Sequence, residues 1–188
     1  MSGLVIFLII LGVIVLWGVM VFNGLIKLKN RTQEAWSDID VQLKRRHDLI
    51  PNLLSSVKGY MTHERELLEN ITKARSQAMD AQNSGDTAGL AKAESALGGM
   101  LGNLRVAFEA YPDLKANTNM AQLMDELSDT ENKIQASRRF YNGNVRELNT
   151  GIQAFPGNLI ASMFNFSQME FYQLEEGSIE KNTVEVKF

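Results

Sequence analysis

The sequence predicts an all-α protein: a single N-terminal transmembrane helix followed by a helical bundle of three long helices and a short C-terminal helix. Three observations carry this. The run Gly3 to Phe22 is apolar and free of charge. Beyond it, apolar residues recur at helical spacing almost to the C-terminus. The chain has only three prolines, and few β-branched runs occur outside the apolar stretch, so sheet is disfavoured.

At 1.5 Å of rise per residue, about 20 residues of helix cross the hydrocarbon core of a bilayer, where a helix satisfies its own backbone. A cleaved signal peptide fits less well. Such a peptide has a basic start, an apolar region of roughly 7 to 15 residues and a small-residue cleavage site. Here Met1 and Ser2 precede the run, and Asn23-Gly24-Leu25-Ile26 offers no cleavage pattern. Lys27, Lys29 and Arg31 follow directly. Basic residues beside a span are retained on the cytoplasmic side, so the expected orientation places the C-terminal domain in the cytoplasm, below a single-pass anchor. Three segments are expected: an anchor over 1–26, a bundle over 27–172 and an acidic tail over 173–188.

The first bundle helix starts near Trp36. Trp36, Leu43, Ile50, Val57, Ile71 and Ala78 form one line at multiples of seven, with Ile39, Leu53, Tyr60, Leu67 and Ala74 three residues further on. That is a heptad-like stripe of a helix packed against others. Arg46 and His47 interrupt it, as does Glu64 after His63. Pro51 either kinks the helix or begins a new one; the register continues through Leu53, Leu54 and Val57, which favours a kink. The helix is expected to run to Ala81. Gln82 to Thr87 reads as a turn, with Asp86 or Thr87 available as the next cap.

The second helix carries Leu90, Leu97, Leu104 and Tyr111 at sevens, together with Gly98, Gly99 and Gly102. Each glycine costs a helix roughly 1 kcal/mol relative to Ala. The cluster therefore calls for either close approach of a neighbouring helix or a bend, and close packing is favoured. Tyr111-Pro112-Asp113 ends this helix. The third begins near Asn117 to Asn119 and follows Met120, Leu127, Ile134, Tyr141, Leu148 and Phe155 at sevens until Phe155-Pro156-Gly157 stops it. A short aromatic segment follows, from Leu159 to Tyr172.

These stretches also carry a resemblance. Trp36-Ser37-Asp38-Ile39-Asp40-Val41-Gln42-Leu43-Lys44-Arg45-Arg46 and Asp48-Leu49-Ile50-Pro51-Asn52-Leu53 resemble the signature of the LemA family of bacterial membrane proteins. Val57-Lys58-Gly59-Tyr60, His63-Glu64, Ala74-Arg75-Ser76, Tyr111 to Asn117, Thr130-Glu131-Asn132, Arg138, Tyr141-Asn142 and Phe155-Pro156 follow in family order. The resemblance implies an N-terminal span with an elongated antiparallel bundle and no established enzymatic activity. It further implies roles in the bacterial cell envelope, in membrane organisation or with membrane-bound proteases. His47 stands where the family commonly has an aromatic residue, and Leu148 where it often has Tyr.

Chemistry is sparse. The chain has no cysteine, which excludes disulfides, Cys-type zinc sites and thiol nucleophiles. His47 and His63 are sixteen residues apart, far from the spacing that puts two ligands on one helical face. His63-Glu64 begins like a zincin motif, but Leu67 occupies the place of the second His. No phosphate loop, nucleophile elbow or dinucleotide fingerprint occurs. The net charge of −3 resides in the segment from Glu170 to Phe188. The near-neutral body makes nucleic acid an improbable partner. No cofactor and no catalytic residue is expected.

Arg46, Glu64, Glu131 and Arg138 are expected to pair across helices as an interhelical polar network, since charges on a packed face set register. Phe164, Phe166, Phe171 and Tyr172 either close the bundle or contact a partner or lipid. The acidic flank favours protein over a lipid surface, which selects basic residues. The chain is thus expected to be a membrane-anchored scaffold, homo-oligomeric and in contact with membrane lipid, that organises or remodels the membrane. The alternative is an accessory subunit of a membrane enzyme such as a protease.

Overall fold

The computed structural model describes residues 3–173. Among these no strand occurs, and six helices follow one another: α1 (Gly3–Val57), α2 (Arg65–Ser84), α3 (Thr87–Phe108), α4 (Pro112–Lys115), α5 (Thr118–Gln153) and α6 (Gly157–Met163). Most of the acidic tail expected over 173–188 lies outside the described residues.

Local chemistry sets the boundaries. Asp86 caps α3, its carboxylate accepting from the backbone N–H of Ala88 at 3.1 Å and of Gly89 at 3.0 Å. Gly85 ends α2 in the left-handed conformation at φ 73°, which glycine adopts without penalty. Pro112 opens α4 at a position that needs no N–H. The Asn117 side chain accepts from Asn119 and Met120 at the start of α5, at 3.1 and 3.3 Å.

The stretch expected to be one helix from Trp36 to Ala81 is two. α1 continues through Pro51 and stops at Val57. There the backbone tightens, Tyr60 N–H donating to Val57 O at 2.9 Å, and α2 starts only at Arg65. The stripe carried the warning. Seven residues beyond Val57 stands Glu64, and Gly59, the weakest helix former of the segment, lies between them. Among the described residues the long helices are therefore α1, which runs on from the apolar stretch, α2, α3 and α5.

The helices sort into two compact units. One contains Asp40–Ala136 together with Tyr172. Its core draws Ile50, Leu53 and Val57 from α1, Ile71, Ala74 and Ala78 from α2, Leu97, Leu101, Leu104 and Phe108 from α3, and Met120, Met124 and Leu127 from α5. Burying a side chain the size of Val, Leu, Ile, Met or Phe is worth about 1.5–3 kcal/mol.

The other unit contains α1 up to Ile39 and the segment Ser137–Phe171. Here Trp36 meets Tyr141 edge-on, with ring centroids 5.1 Å apart. Asn149 clamps the backbone of Met169 from both sides, donating to its carbonyl and accepting from its N–H, each at 2.9 Å. Tyr141 donates to the carbonyl of Glu170 at 2.9 Å. These bonds lay the chain that follows α6 along α5. The apolar run forms the first turns of α1 and is exposed over nearly its whole length, from Leu4 to Met20. A core helix of comparable hydropathy would be covered by protein; this one is not, and it fits a single-pass membrane anchor.

Candidate functional site

The densest chemistry lies in the unit built on Asp40–Ala136. Arg46 follows buried Leu43 by three residues and precedes buried Ile50 by four, so the helical period carries its side chain inward, to 1% exposure. Glu94 sits on α3 between Leu90 and Leu97 for the same reason and is also buried. One guanidinium nitrogen of Arg46, Nη1, donates to Glu131 Oε2 on α5 at 2.5 Å. The other, Nη2, donates to the Glu94 carboxylate and to the Glu94 backbone carbonyl, the latter at 3.2 Å. His47 Nε2 stands 2.7 Å from the second Glu94 oxygen. An ionised carboxylate only accepts, so this nitrogen carries the proton.

Burial works against the charge on Arg46, and the Glu94 and Glu131 carboxylates outweigh it, raising its pKa above the ordinary value. Burial alone pushes Glu94 upward, but the His47 hydrogen bond and the Arg46 charge hold it below the ordinary carboxylate value.

Pro51 contributes a further contact. Having no N–H, it leaves the carbonyl of His47, four residues earlier, without its helical donor. Arg75 on α2 fills the gap, its Nε donating to His47 O at 2.8 Å. The proline and the arginine together fasten α2 to α1 at the level of the ionic cluster.

Of the four residues expected to form one network, the structure joins two. Arg46 and Glu131 pair directly. Glu64 instead accepts from the Tyr111 hydroxyl at 2.5 Å, at the turn between α1 and α2. Arg138 lies in the other unit. Glu94, His47 and Arg75 were not anticipated as members. Glu94 had the same signal as Arg46, a charge in an apolar stripe.

The glycines of α3 do not pack closely. A Cβ added at Gly99 or Gly102 would meet nothing within 4 Å, and one at Gly98 would only reach ordinary contact with Arg46 Nη1 at 3.8 Å. Close approach occurs instead near the anchor. A Cβ at Gly151 would lie 3.2 Å from Leu25 Cδ2, and one at Gly157 would lie 3.0 Å from the Gly151 carbonyl oxygen.

The aromatic segment divides. Tyr172 is buried and so is not a contact surface, correcting the expectation for that residue. Phe164 and Phe166 pack on Phe22 of α1, with centroids 4.7 and 5.7 Å apart, and Phe171 is partly covered. The large apolar side chains left exposed are Phe155, Leu159, Met163 and Phe164.

Chemically, the ionic cluster is a closed lock. Arg46, His47 and Glu94 are buried while the Glu131 side chain is 32% exposed, and no group of three or more metal-ligating side chains exists among the described residues.

The sequence profile of the LemA family matches residues 35–188. This chain belongs to the LemA family. Protein LemA of Metamycoplasma hominis is 31% identical over 154 residues, covering 82% of this chain and 69% of that protein. Magnetosome protein MamQ 2 of Paramagnetospirillum magneticum is 23% identical over 177 residues, and MamQ of Magnetospirillum gryphiswaldense 21% over 176. The alignments take in 82% and 81% of this LemA-family chain and 65% of each MamQ protein. The chain thus spans about two-thirds of the length of these relatives. The family match begins at Ala35, so it takes in the residues of the ionic cluster and α6, while the apolar run lies upstream of it.

Proposed function

We propose that this LemA-family chain is a non-enzymatic scaffold of the bacterial inner membrane, held by a single pass of α1, with its C-terminal domain in the cytoplasm. It self-associates and thereby organises or remodels the membrane. The observation that carries this reading is the continuity of α1, which is fully apolar and exposed over its first turns and contributes Arg46 to the buried lock further on. The chain's most elaborate polar chemistry is spent on holding helices in register. Lys27, Lys29 and Arg31 support the cytoplasmic placement. Open Gly99 and Gly102 lie on one face of α3 with Val106, which is 73% exposed, a smooth surface that suits the approach of a second copy.

Light scattering on the full chain in detergent and in lipid nanodiscs tests the reading. An assembly larger than one chain is expected, and a monomer in both media overturns self-association.

A second reading, an accessory subunit of a membrane enzyme such as a protease, draws on an open cleft of about 650 Å³ between α1 and α2, lined by Leu54, Lys58, Met61, Arg65 and Leu68 among others. Affinity capture from solubilised membranes that returns this chain alone counts against it.

A further inference from the structure

We propose that α6 and its flanks form a second membrane contact: Phe155, Leu159, Met163 and Phe164 insert among the acyl chains at the headgroup boundary, beside the anchor. The inference rests on the anchoring part of the reading above and is independent of self-association.

Depth comes first. α6 packs on the last turns of the apolar run. A Cβ at Gly18 would lie 3.6 Å from Ile160 Cδ1, and one at Gly157 would lie 3.8 Å from Val21 Cγ1. The Phe22 ring meets Phe164 and Phe166. Gly18 to Phe22 occupies about the final 6 Å of the run at helical rise. With Gly3–Phe22 filling the hydrocarbon layer, α6 lies within about 5–10 Å of the acyl boundary, the depth of interfacial helices.

Composition agrees with that depth. α6 is apolar on two sides. Ile160 and Ala161 face protein, while Leu159 and Met163, one turn apart, are 58% and 71% exposed. Phe155 and Phe164 at its ends are 79% and 53% exposed. The remaining side carries the uncharged Asn158 and Ser162, one turn apart and exposed, as suits a helix lying at the boundary of lipid and water. From Leu148 to Met169 the chain has no Asp, Glu, Lys, Arg or His, so no charge needs to be desolvated on entry.

The backbone is provided for as well. Asn158 N–H donates to Ala154 O, Phe164 to Ile160 O and Phe166 to Ala161 O, at 2.9, 3.1 and 2.9 Å, which is the condition for leaving water. Lipid is the occupant because this face adjoins the exposed surface of the anchor on the same side of α1, where Ile14 and Val15, one turn before Gly18, already require acyl chains. The acidic tail that favoured a protein partner begins only beyond this charge-free stretch.

The absence of cysteine makes the test clean. Val13→Cys, Leu159→Cys, Met163→Cys and Ser76→Cys are each labelled with an environment-sensitive nitrobenzoxadiazole probe. The full chain is then reconstituted in phosphatidylcholine–phosphatidylglycerol vesicles, with nitroxide-labelled lipids or aqueous iodide as quencher. The expected result is quenching of the 159 and 163 probes by shallow nitroxide lipid and protection from iodide, with the 76 probe quenched by iodide alone. If the 13 probe is quenched by lipid while the 159 and 163 probes are quenched by iodide, the anchor stands and the inference falls. Protection at 159 and 163 that vanishes on dilution of protein into lipid assigns the face to a second copy and overturns the inference. A 13 probe that lipid does not reach overturns the anchor and the inference together.

Discussion

Arg46→Ala strips one guanidinium from two carboxylates, one of them fully buried, and a stranded buried charge costs about 3–5 kcal/mol. Equilibrium unfolding of the full chain in mild detergent is expected to show a loss of that order. Replacing Arg46, Glu94 and Glu131 together by apolar residues of similar volume is expected to recover most of it, because what costs stability is the uncompensated charge. Glu94 also sets an acid limit. Its folded pKa lies below its unfolded value, so its contribution is complete above the unfolded value and disappears as pH falls through the folded one. The midpoint of unfolding is expected to drop with acidification through the carboxylate range, and Glu94→Gln is expected to flatten that limb while lowering stability at neutral pH. Arg46 and Glu131 were legible in the sequence because charges stood in apolar lines. His47 and Arg75 were not, because their roles depend on which helices meet across the core and on a carbonyl exposed by a proline one turn away.

Between elements, the α1–α2 fastening is open to a double-mutant cycle. Arg75→Ala alone leaves the His47 carbonyl without its donor and is expected to cost about 1–3 kcal/mol. In a Pro51→Ala background the restored backbone N–H takes that place, and the same change is expected to cost markedly less. On α3, Gly99→Ala and Gly102→Ala meet nothing within 4 Å and are each expected to raise stability by about 0.5–1 kcal/mol through helix propensity, read from the same unfolding curves. Had they packed closely, both would destabilise. Pro51 drew attention as the obvious breaker, yet the helix passes through it. The break falls seven residues later, where no single strong signal stands but Gly59 and Glu64 together leave α1 with neither propensity nor burial to continue. Gly151 was invisible as a close-approach glycine because its neighbour Leu25 lies more than a hundred residues away in sequence, and Gly157 because it meets the Gly151 carbonyl only through the turn between α5 and α6.

At the scale of the whole molecule, the anchor and the all-helical body could be read from hydropathy and period alone, since both are properties of single segments. The division near Ile39 and Ser137 could not, because the apolar stripes of α1 and α5 run across it unbroken. The full chain is expected to resist alkaline carbonate extraction, and its C-terminal domain to be digested by added protease only after the inner membrane is breached. Extraction into the aqueous phase removes the anchor, and digestion in intact spheroplasts reverses the orientation. The seating of Ile160 over Gly18, and of Gly157 against Val21, commits one side of the transmembrane rod to its own chain. Under the proposed self-association, pairing between rods falls to the opposite flank, where Gly12, Leu16 and Met20 lie bare, and the azimuth at which copies would meet is set within each monomer.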